Sequence, residues 1–70
     1  MKARSARGEK TRLRILRAAS DLFHAQGVAG TSPDQIIEVS ATGKGQFYHY
    51  FKSKEGLVHA VLQNYRALSR

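Results

Sequence analysis

Apolar positions along this chain repeat with the period of a helix, and nowhere do they alternate as a half-buried strand would require. Ile15, Leu16, Ala19, Leu22 and Phe23 fall at i, i+1, i+4, i+7 and i+8, which is one stripe of a helix over residues 9–26. Arg12, Arg14, Arg17 and Asp21 lie largely off that stripe, and Gly27 follows it as a left-handed stop. A new start signal comes at Ser32. Ser32 is an N-cap, Pro33 suits the first helical position, and Gln35 stands three residues after the cap as in a capping box. Ile36, Ile37 and Val39 give this second helix, 33–40, a short apolar face. Ala41, Thr42 and Gly43 then break the chain, with Thr42 as the expected cap of a third helix over 44–51. Ser53 caps a fourth helix, with Glu55 in its first turn. Leu57, Val58, Val61, Leu62, Tyr65 and Leu68 share one face of that helix, and no stop signal precedes Arg70. Residues 1–8 carry small and basic side chains without a period and read as a flexible basic arm. The fold class is therefore all-α: a three-helix bundle containing a helix-turn-helix, plus the start of a longer fourth helix, in a homeodomain-like arrangement.

The third helix carries the unusual chemistry. In "ATGKGQFYHYFKSKEGL" five ring side chains, Phe47 to Phe51, follow one another, with Lys44, Lys52 and Lys54 in the same stretch. At about 100° per residue the row splits in two. Phe47 and Phe51, with Tyr50 beside them, turn to one side and suit a core. Lys44, Gly45, Gln46, Tyr48 and His49 turn to the other. An amide, an ammonium and two polar rings on one face fit a short helix laid in a DNA major groove. Gln46 can pair with an adenine edge, and Lys44 can reach a guanine edge or a phosphate. Tyr48 and His49 suit phosphate oxygens, which set register more than sequence. Gly45 lets the backbone come close to another molecule. Thr31 and Ser32 stand at the start of the preceding helix, where hydroxyls and free N–H groups suit a phosphate. Lys54 can hold a phosphate from the other flank.

Charge supports a polyanionic partner. Net charge is +7 over 70 residues. It divides into +5 over residues 1–14, −2 over 15–40 and +4 over 41–70. Two basic blocks thus flank an acidic middle, as expected for a protein that meets nucleic acid or an anionic membrane surface. The length allows one domain. The absence of cysteine excludes disulfides and thiolate metal sites and fits a reducing compartment. No apolar run reaches the roughly 18 residues of a membrane span, and no apolar segment follows the basic start as in a signal peptide. The cytoplasm is the expected location.

Catalysis finds no support. Gly43-Lys44 lacks the rest of a phosphate-binding loop, since position 38 is Glu and position 45 is Gly. Asp21, Asp34, Glu38 and Glu55 form no evident acid–base pair. His24, His49 and His59 are spaced as no metal-ligand pair would be, so no metal or other cofactor is expected.

"TSPDQIIEVSATGKGQFYHYFKSKEGL" and the preceding "ILRAASDLFHAQGVAGTS" resemble the DNA-binding region of the tetracycline-repressor (TetR) family of bacterial transcriptional regulators. The resemblance covers about residues 9–65 and is strongest over 44–57. It implies a repressor that binds a palindromic operator as a homodimer, with helix 44–51 in the major groove. It also implies a C-terminal domain for a small-molecule inducer, absent from these 70 residues. By the resemblance, positions matching Thr31, Ser32, Lys44, Gly45, Gln46, Tyr48, His49, Tyr50 and Lys54 touch DNA, mostly at phosphates, with 44–46 nearest the bases. Tyr50 suits half-buried packing better than a DNA contact. One departure stands out: the family's turn usually reads Gly-Val-Ser before the lysine, and here it reads Ala41-Thr42-Gly43. Two rivals stay open on the residues alone, a basic amphipathic domain on anionic membranes and a non-specific DNA coater. The arm of Lys2, Arg4, Arg7, Lys10 and Arg12 is either a solubilising tail or an arm that follows the DNA backbone or enters a minor groove.

Overall fold

The computed structural model describes residues 6–69 and the side-chain surroundings of residues 8–64. Four helices follow one another: α1 (Ala6–Gln26), α2 (Pro33–Ser40), α3 (Lys44–Tyr50) and α4 (Lys54–Ser69). No strand occurs among the described residues. α1 packs against both α2 and α4, and α3 packs chiefly on α2.

α2 has the bounds its capping signals predict, and α3 ends at Tyr50 with Phe51 as its cap. α1 differs. It begins at Ala6, three residues before the expected start at Glu9, so the expected arm loses residues 6–8 to the helix. Ala6, Arg7 and Lys10 are good helix formers and Glu9 is acidic in the first turn, which lengthens the helix without any apolar pattern to betray it. The rest of that arm, with Lys2 and Arg4, lies outside the described residues.

The core gathers one stripe of each helix: Ile15, Leu16, Ala18 and Ala19 from α1, Ile36 from α2, Phe47 from α3, Phe51 just after it, and Leu57 from α4. Leu22, Phe23, Ile37, Tyr50, Ala60 and Val61 pack around them. Helices of two turns are not stable alone. Each large apolar side chain fully buried contributes about 1.5–3 kcal/mol, so Ile36 holds α2, and Phe47 with Phe51 hold α3. The apolar face of α4 is only partly covered: Leu57 is fully buried and Leu62 is 56% exposed. The side chains of Tyr65 and Leu68 lie outside the described set.

The two connections are built differently. α1 ends at Gly27, whose φ of 79° is left-handed and whose N–H donates to Phe23 O at 2.8 Å. Gln26 then ties the loop to α2, its Nε2 donating to Gly30 O and to Gln35 Oε1, each at 2.9 Å. α2 ends at Ala41, also left-handed with φ 58° and ψ 40°. The Ala41 N–H donates to Glu38 O and the Thr42 N–H to Ile37 O, both at 3.2 Å, which closes a Schellman turn.

Candidate nucleic-acid interface

α3 places its rings as the wheel predicts. Phe47 and Phe51 are 3% and 5% exposed, while Lys44, Gly45, Gln46, Tyr48 and His49 all face solvent. Tyr50 is half-buried against the core, its ring edge-on to His49 at 5.0 Å between centroids. Tyr48 stands edge-on to Phe47 at 5.0 Å, so a buried ring steadies an exposed one.

Thr42 does not cap α3. Its hydroxyl pairs with Ser40 Oγ at 2.9 Å and its N–H completes the end of α2. The N-cap is Gly43, extended at φ −80° and ψ 155°. Glycine offers no capping oxygen, and Gln46 supplies the reciprocal half of the box, its Oε1 accepting the Gly43 N–H at 3.2 Å. The amide is thereby oriented before any partner arrives. Its oxygen keeps a second lone pair and its NH2 both donors, so the cap leaves a bidentate edge available.

Gly45 is a glycine that the protein itself does not require. A Cβ there would meet no atom within 4 Å. Glycine inside a helix costs about 1 kcal/mol against alanine. The absence of a side chain leaves the backbone of α3 open to close approach at this point.

The other expected contacts divide. Ser32 is exposed and Lys54 half-buried at the start of α4. Ser32 Oγ accepts the Gln35 N–H at 3.3 Å, and the Ser32 N–H donates to Gln35 Oε1 at 3.0 Å. The hydroxyl proton of Ser32 remains free to donate. Thr31 is placed inside instead. It is 3% exposed, its hydroxyl donates to Gly27 O at 2.8 Å, and its N–H donates to Val28 O at 3.2 Å. Thr31 thereby closes the loop that follows α1, its hydroxyl and N–H bonded to carbonyls just past the helix end. His24, His49 and His59 fall on three separate helices.

Two arginines of α1 act where periodicity did not point. Arg12 lies with its guanidinium carbon 5.8 Å from the centre of the Phe51 ring, within cation–π reach. It therefore braces the end of α3 and is no part of a loose arm. Arg14 crosses to the turn between α2 and α3, its Nε–H donating to Ser40 O at 2.8 Å. One signal was available: α2 has no basic residue in its last turn, so its terminal carbonyls must find a donor elsewhere. Among the described residues no helix is long and apolar enough to cross a membrane.

The sequence of this fold has known relatives. The profile of the family described as "Bacterial regulatory proteins, tetR family" matches residues 15–61. An uncharacterised HTH-type transcriptional regulator of Lactococcus lactis subsp. lactis, encoded in the lacX 3' region, is 46% identical over 55 residues, 79% of this chain and 28% of its own. The HTH-type transcriptional regulator UidR of Escherichia coli K12 is 39% identical over 64 residues, 89% of this chain and 33% of its own. SrpR of Pseudomonas putida, also an HTH-type transcriptional regulator, is 40% identical over 58 residues, 83% of this chain and 27% of its own. This chain thus spans a third or less of each of these relatives. No solved structure matches it significantly. With the family profile lying over the helices that build the turn and its exposed α3 face, the chain belongs to the tetR family of bacterial regulatory proteins and carries that family's DNA-binding helix-turn-helix unit.

Proposed function

We propose that this domain reads a specific duplex DNA sequence by laying α3 in the major groove, and that it serves a transcriptional repressor. The single observation that carries the proposal is the exposed face of Lys44, Gly45, Gln46, Tyr48 and His49 on a helix anchored by Phe47 and Phe51. A helix, about 10–12 Å across with its side chains, fits a major groove roughly 12 Å wide. Gln46 and Lys44 are the base readers. Tyr48, His49, Ser32, Lys54 and the exposed edge of Tyr50 hold phosphates and fix register. Two such heads, brought together by the partner domain of a longer protein, read a two-fold symmetric operator, and occupancy blocks transcription. An inducer acts through that further domain, in the cytoplasm.

Selection of bound sites from a random duplex pool tests this, followed by titration of the selected duplex against an unselected one. Gln46→Ala is expected to lose about 1–3 kcal/mol of discrimination. Lys54→Ala is expected to weaken all duplexes alike and to lower the salt slope by about one. A Gln46→Ala loss equal on every duplex would contradict base reading. Absence of any preference would favour a non-specific coater, and equal binding to anionic vesicles at the same salt would favour the membrane alternative.

A further inference from the structure

The turn that aims α3 contains a residue that does not favour its own conformation. Ala41 adopts φ 58°, which an L side chain enters at a cost that glycine does not carry. The same turn ends a helix with no basic residue in its last turn. The Schellman N–H groups and the Ser40 hydroxyl serve the carbonyls of Glu38 and Ile37, while those of Ser40 and Ala41, at the negative end of the helix dipole, lie beyond them. Arg14 meets them from α1. Its Nε–H donates to Ser40 O at 2.8 Å, and Nη2 lies 3.5 Å from Ala41 O, so the guanidinium spans the last carbonyl of the helix and that of the left-handed residue. A planar guanidinium presents its donors in a fixed fork, which a flexible ammonium does not. Ser40, 2% exposed and paired through its hydroxyl with Thr42, continues the same brace toward Gly43, the cap of α3.

We propose that Arg14 is the positioning residue of the recognition helix: by holding the Ser40 and Ala41 carbonyls it keeps the strained turn closed and fixes the angle at which α3 leaves α2. This rests on the DNA-reading role proposed above. α3 makes its main helix contacts with α2, so the turn and the two phenylalanines are what set its direction. Arg14 is basic and exposed, and the rival role is a plain phosphate contact. The two roles separate cleanly. A phosphate contact contributes equally on all sequences and adds about 0.9 to the salt slope. A positioning residue acts on the alignment of Gln46 and Lys44 and so changes preference without changing the slope.

Arg14→Ala, Ala41→Gly and the double variant are compared with the unaltered protein, at a temperature where circular dichroism shows each folded. The probes are the duplex selected from a random pool and an unselected duplex, over a salt series. Amide hydrogen exchange is read without DNA. Arg14→Ala is expected to lose about tenfold of its preference, within the range a single base contact supplies, with an unchanged salt slope. Exchange at the Ala41 and Thr42 amides is expected to quicken about tenfold, since each tenfold is one lost increment of local closure. Exchange at the Gly27 amide is expected to stay the same. The added glycine, which relaxes the turn, is expected to restore most of the preference in the double variant. Equal loss on both duplexes with a shallower salt slope would overturn the proposal in favour of a phosphate contact. Unchanged exchange at Ala41 and Thr42 would overturn it whatever the DNA result. Should the unaltered protein show no sequence preference while Arg14→Ala still quickens the turn, the DNA-reading role fails and the brace itself stands.

Discussion

The two junctions of this small domain use glycine in opposite ways. Between α1 and α2, glycine sits where the fold demands it. Gly27 takes the left-handed φ of 79°, and a Cβ on Gly30 would come within 2.5 Å of the Gln26 carbonyl oxygen. Between α2 and α3 the left-handed position is filled by Ala41, and glycine stands at Gly43 and, inside α3, at Gly45, where neither φ nor packing requires it. The first junction is closed by its own neighbourhood, through Gln26, Thr31 and Gln35. The second adds to its own Schellman bonds a tie from 26 residues away, from Arg14. A junction of the first kind serves the fold alone. One of the second kind leaves glycine on the exposed side of α3 and takes part of its rigidity from α1.

Substitutions that exchange the two habits should sort by size. Gly30→Ala should cost most, roughly 1–3 kcal/mol, because a backbone carbonyl must move. Urea unfolding that shows no loss there would mean the loop yields freely. Ala41→Gly should stabilise by about 1 kcal/mol by relieving the left-handed side chain. A thermal midpoint that falls instead would show that the extra freedom of glycine in the unfolded chain outweighs the relief. Gly45→Ala should stabilise by slightly less, about 0.5–1 kcal/mol from helix propensity, yet weaken duplex binding. Stability and affinity rising together would remove the case for close approach. Gly43→Ser should do least, a few tenths of a kcal/mol, by adding a capping oxygen to a position already in the extended region.

Much of this was legible beforehand, and the residues show why. Ser32, Pro33 and Gln35 carry a local signal that marks the start of α2, and the box forms through the predicted groups. Phe47 and Phe51 against Gln46 and His49 follow from helical angle alone, so the buried and exposed faces of α3 were readable. The start of α1 was not, because Ala6 and Arg7 favour a helix without belonging to an apolar stripe. Thr31 looked like a surface hydroxyl beside a cap, and it is turned inward with its hydroxyl on the carbonyl of Gly27, in the loop just past α1. Thr42 lost the cap of α3 to Gly43 because the Schellman closure of α2 claims its N–H. Arg14 on Ser40 and Arg12 over Phe51 depend on how helices meet in space, which no local period encodes.

The central claim is that the outer face of α3, and not another basic surface, meets the duplex. Nuclear magnetic resonance titration of the labelled protein with its selected duplex tests it most directly. The largest amide shifts are expected over residues 44–49, with Ser32 and Lys54 next, and little change at Leu13, Arg17 or Val61 in the groove between α1 and α4. Shifts concentrated in that groove, with residues 44–49 silent, would contradict it.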